Sequence, residues 1–74
     1  MSEFITRQTE VRNNLIMQVR EVIDFAETEG RGLDSEELRK IEAIESDIAK
    51  ADEAIAVAQR SEERKVEASV AAKG

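Results

Sequence analysis

The chain has 74 residues, a net charge of −6 and 41% hydrophobic residues carried largely by Ala, Ile, Val and Leu, with two Phe, no Tyr and no Trp. A sequence this short makes at most one small domain, and with 38% charged residues and no Pro it has the composition of long helices or a coiled coil rather than of a sheet. The acidic balance argues against direct contact with nucleic acid, which needs clustered Lys and Arg, and the absence of Cys and His removes disulfides, thiolate metal sites and the commonest general base.

The first element predicted is a helix over about residues 3–29, with Ser2 as its cap. Phe4, Val11, Leu15, Val19, Val22 and Ala26 recur at helical spacing, and Ile5, Ile16 and Ile23 lie beside that stripe. Together they predict an apolar face about half the circumference wide, interrupted near its start by Gln8 and Arg12. Met17 falls on the polar side and is expected to be exposed.

The segment 27–37 then ends one helix and starts another. Gly30 suits the left-handed residue that closes a helix, because it has no Cβ to clash. Asp34 reads as the N-cap of the next helix, with Glu37 three residues on to complete a capping box. Leu33 and Leu38 flank the cap as a hydrophobic staple. The loop is expected over 30–33.

The second helix is predicted from residue 35 into the 60–65 region. Ile41, Ile44, Ile48, Ala51, Ile55 and Ala58 alternate by three and four, the narrow seam of a heptad repeat. Glu36 with Lys40, and Asp47 with Lys50, are spaced to support the helix from its surface. Beyond Ala58 the seam weakens: Glu62 takes a core position, and only Val66 and Val70 keep the phase. The expected division is therefore a two-helix unit over 1–60 and a charged, fraying linker over 61–74.

The fold class predicted is all-α, an antiparallel helical hairpin or coiled coil that assembles into a multi-helix oligomer. A two-helix hairpin covers a narrow seam but not a face half a circumference wide, so the Ile5, Ile16 and Ile23 shoulder should meet another helix. Burying three Ile side chains contributes roughly 1.5–3 kcal/mol each, a large fraction of a small domain's stability. The interface expected comprises Leu15, Ile16, Val19, Val22 and Ile23 of the first helix with Ile41, Ile44, Ile48 and Ile55 of the second.

No catalytic constellation is visible. Glu36 and Glu37 are neighbours on one helix and do not face each other, and acids are favoured in a first helical turn by the macrodipole. Asp34 to Glu37 lacks the ligand spacing and central Gly of a calcium loop. Gly30, Arg31 and Gly32 lack the longer spacing and the Lys of a phosphate-binding loop, and Arg31 reads as a surface charge near Glu27 or Glu29. No cofactor and no metal are expected. The longest apolar run, 54–58, falls far short of the ~20 residues of a membrane helix, and the start carries no apolar signal core. A soluble intracellular setting is expected.

The loop and its flanks resemble the N-terminal delta domain, the built-in scaffold, of tailed-phage major capsid proteins with the Hong Kong 97 fold. Ala26, Gly30, Arg31, Leu33, Asp34, Glu36 and Glu37 match the loop pattern, and Ile41, Ile44, Asp47, Ile48 and Ile55 match the second helix, over roughly residues 9–62. Gly32 and the Ala-rich later turns of the second helix depart from it. The resemblance implies a non-enzymatic segment of a capsid precursor. Such a segment gathers subunits inside the procapsid, in the host cytoplasm, and is removed by a phage maturation protease. Its partners would be other copies of itself and that protease, with no membrane. The alternative is a small acidic coiled-coil adaptor or regulatory protein that binds a partner helix.

Overall fold

The computed structural model describes residues 2–64, which form two α-helices, α1 (Glu3–Thr28) and α2 (Ser35–Glu63), with no strand among the described residues. Each helix is about 40 Å long at 1.5 Å per residue, and the two pack against each other as a hairpin.

The helix ends are fixed by local chemistry. At the start of α1 the Ser2 hydroxyl oxygen accepts from the backbone N–H groups of Phe4 and Ile5, at 3.1 and 3.3 Å, and so satisfies donors that have no partner within the helix. At its end Gly30 adopts φ +68°. This turns the chain so that the Gly30 N–H donates to the Glu27 carbonyl at 2.9 Å and the Arg31 N–H to the Ala26 carbonyl at 3.1 Å. That pair of bonds is a Schellman closure, and it requires a residue without a Cβ at position 30.

Asp34 caps α2. Its carboxylate accepts from the Glu37 backbone N–H at 2.8 Å, while the Glu37 carboxylate accepts from the Asp34 N–H at 3.1 Å. Both halves of the predicted capping box are therefore made. Of the two leucines that flank the cap, Leu33 is half-buried and Leu38 is 47% exposed. Asp34→Ala should lower hairpin stability by about 0.5–2 kcal/mol. An unchanged melting temperature would mean that α2 does not depend on this cap.

The core is a single seam. Ile5 and Ala26 of α1, with Ile41, Ile44 and Ala51 of α2, are its buried residues. On α2 the predicted heptad positions are the ones used: Ile48, Ile55 and Ala58 are half-buried along the same line. On α1 the line differs from the stripe read in the sequence. The inward positions are Ile5, Gln8, Arg12, Leu15, Val19, Val22 and Ala26, alternating by three and four. Phe4 and Val11, expected in the stripe, lie beside it and are exposed, whereas Ile5, expected on the shoulder, is buried.

The narrow seam of α2 explains the change. It accepts only a complementary line with a period of three and a half residues, and Phe4 and Val11 fall one position off that line. Gln8 and Arg12 then lie in the seam rather than interrupting it. Arg12 is half-buried and is tolerated because its guanidinium forms an ion pair with Asp52 of α2. The expected pairs of Glu36 with Lys40 and Asp47 with Lys50 do not close among the described residues, whose ion pairs all lie elsewhere.

α2 ends at Glu63, so 61–63 of the expected linker continue the helix. Residues 65–74, with Val66 and Val70, lie outside the described residues.

Candidate functional site

The apolar surface that the hairpin leaves uncovered is concentrated on α1. Two flanks run beside the seam. One carries Ile16 and Ile23, 36% and 43% exposed; the other carries Phe4, Val11 and Phe25. The corresponding flanks of α2 are more polar: they carry Lys40, Glu45, Asp47 and Asp52, with Leu38 as the one large exposed apolar residue among them. A further helix therefore gains most of its apolar contact from α1, with Ile48 and the 47% exposed Leu38 of α2 beside it. Met17 is exposed, as its place on the polar side predicts, and so is Val57.

On the first flank the two helices leave an open groove of about 420 Å³. Ile16, Val19, Ile23 and Ile48 supply its apolar lining, and Arg20, Asp24, Glu27 and Glu45 its charged one. One cation thus stands among three carboxylates. None of these four charged residues takes part in an ion pair among the described residues.

The loop forms a compact polar cluster. The Arg31 Nε donates to Glu29 at 2.8 Å, and the two terminal nitrogens donate to the two carboxylate oxygens of Glu37 at 2.8 and 3.0 Å. One of those nitrogens also donates to the Gly32 carbonyl at 2.9 Å. The guanidinium carbon sits 5.6 Å from the centre of the Phe25 ring, within cation–π range. Arg31 therefore ties the end of α1 to the start of α2. The sequence placed it near Glu27 or Glu29; the structure pairs it with Glu29 and not Glu27, and the sequence reading missed Glu37. A fork of N–H donors facing a carboxylate already fixed by a capping box is the signal that could have found it.

These bonds shift both groups. The Arg31 hydrogen bonds, then the backbone N–H of Asp34, hold the Glu37 carboxyl down from 4.5 to about 2, and Glu37, then Glu29, raise Arg31 further above its ordinary value. The unfolded chain therefore takes up the Glu37 proton at a higher pH than the hairpin does. The stabilisation is full above pH 4.5 and is lost as pH falls through about 2. Thermal melts across that window should show this loss, and Glu37→Gln should flatten it. An equal slope in both proteins would place the acid sensitivity elsewhere. Solvent reaches the cluster, so added salt should weaken the effect.

The predicted interface residues divide into two groups. Ile41 and Ile44 are buried, and Leu15, Val19, Val22, Ile48 and Ile55 are half-buried, all along the line between the chain's own helices. Ile16 and Ile23 alone stand outside it, brought together with Val19 and Ile48 at the groove. Among the described residues no helix is long and apolar enough to cross a membrane, and no group of three or more acids is placed to hold a metal ion. Comparison with protein-family models, with curated proteins and with solved structures found no match.

Proposed function

We propose that this hairpin is an assembly module, and that it acts as the scaffold segment of a phage capsid precursor. In this reading it gathers subunits into a procapsid and is then removed by a maturation protease. The observation that carries the assembly reading is the groove lined by Ile16, Val19, Ile23 and Ile48, apolar surface that the chain's own two helices leave open. The step from assembly to a capsid rests on the loop residues Ala26, Gly30, Arg31, Leu33, Asp34, Glu36 and Glu37. Weak helix contacts suit such a role. Within a capsomer they act together through high effective concentration, and they separate once the segment is cut free.

Association is the direct test. Light scattering over a range of concentrations should show species larger than a monomer, and Ile16→Asp with Ile23→Asp should remove the part of that association that the groove carries. Both side chains are partly exposed, so the variant should keep its helical circular dichroism. A chain that stays monomeric at high concentration would overturn the assembly reading. The three carboxylates beside the groove, Asp24, Glu27 and Glu45, favour one second reading: an adaptor that seats a basic partner helix. A monomer that binds a Lys-rich amphipathic peptide at this groove, with the binding lost in the same variant, would establish that reading instead.

A further inference from the structure

We propose that two copies of this chain pair along the second flank of α1, antiparallel about a two-fold axis beside Asn14. Phe4 of each copy then meets Phe25 of the other, and Arg7 of each meets Glu21 of the other. Two columns of residues carry the inference. Phe4, Val11, Gln18 and Phe25 recur every seven residues and so form one line beside the seam. Arg7, Asn14 and Glu21 recur at the same interval and form the adjacent line.

Both columns suit an antiparallel copy of themselves. A second α1 running the opposite way and centred at Asn14 and Leu15 brings Phe4 level with Phe25 and Val11 level with Gln18. In the next column it brings Arg7 to Glu21, Glu21 to Arg7, and Asn14 to Asn14. The aromatic ends meet, opposite charges meet twice, and the central amides can bond to each other. A parallel copy would instead set Arg7 against Arg7 and Glu21 against Glu21, like charges facing each other. The sequence of charges thus selects both the occupant and its direction.

The structure leaves this surface available. Phe4, Val11 and Phe25 are 49%, 43% and 56% exposed, and Asn14, Gln18 and Glu21 are exposed as well. Arg7 is held only by a 3.7 Å contact with the exposed Glu3, and Glu21 makes no ion pair among the described residues. Beside Phe25 lies a hollow of about 380 Å³ lined by Glu21, Val22, Phe25, Glu37 and Lys40. It opens at the level where Phe4 of the second copy arrives, with Glu21 at its edge to receive Arg7. Arg31 lies over the Phe25 ring and helps to fix its orientation. This pairing goes beyond the assembly reading, because it uses the flank opposite Ile16 and Ile23 and leaves that groove free for a further helix.

The chain has no cysteine, so one introduced thiol reports on symmetry without background. Asn14→Cys lies beside the axis and should give a disulfide-linked dimer on mild oxidation. Gln18→Cys would cross-link in a parallel pair and should not do so here, and Ile23→Cys, on the other flank, should not be cross-linked by this pairing. In sedimentation experiments Glu21→Arg should weaken self-association about tenfold or more, through two like-charge contacts. Adding Arg7→Glu to that variant should restore most of the loss. Cross-linking through Gln18→Cys as readily as through Asn14→Cys would overturn the antiparallel pairing. So would self-association that is lost entirely with Ile16→Asp and Ile23→Asp but indifferent to Glu21→Arg, although it would leave the assembly reading intact. A chain that neither cross-links nor associates would overturn both.

Discussion

Ile44→Ala should destabilise the hairpin by about 2–5 kcal/mol, the usual result of emptying a buried aliphatic site. The loss is severe here because the core is one seam deep. Ile44 is 8% exposed and, among the described residues, shares the buried line with only Ile5, Ala26, Ile41 and Ala51. A whole small domain has about 5–15 kcal/mol of stability, so this variant should melt well below the parent chain. Urea or thermal unfolding followed by circular dichroism measures the effect. It should be done in dilute solution, since association would otherwise add stability that depends on concentration. Ile23→Ala is the control: that side chain is 43% exposed, and in the monomer its truncation should cost a fraction as much. Equal losses from the two substitutions would mean that the seam does not hold the hairpin together.

The second large effect concerns assembly. Where the reading frame continues past Gly74 into a shell domain, deletion of residues 2–60 from that precursor should leave aberrant particles or none, while the shell domain itself still folds. Ile41→Asp, Ile48→Asp and Ile55→Asp together should do the same by another route, because they place three carboxylates in the line that joins α1 to α2. Ile16→Asp with Ile23→Asp should separate the two causes. It keeps the hairpin but spoils the groove, so particles should fail although the segment is folded. Normal yields of closed, uniform shells from the deletion and the triple variant would refute the scaffold reading.

What the residues determined by themselves was local. Composition excluded a sheet, and the hairpin followed from Gly30, Asp34 and Glu37, because cap chemistry acts within a few residues of chain and needs no distant partner. The α2 seam was also legible, since charged residues flank a line of Ile and Ala and leave a single inward face. α1 was not resolved in the same way. Its apolar face is wider than one partner helix covers, so several lines through it are equally apolar. Only packing against α2 selected Ile5 over Phe4 and admitted Gln8 and Arg12, the latter through Asp52, 40 residues away in sequence. The same choice decided which residues were left outside, Ile16 and Ile23 on one flank and Phe4, Val11 and Phe25 on the other. The Arg31 clasp likewise depended on tertiary placement, because the Gly30 turn has to bring the end of α1 and the Glu37 carboxylate within reach of one guanidinium.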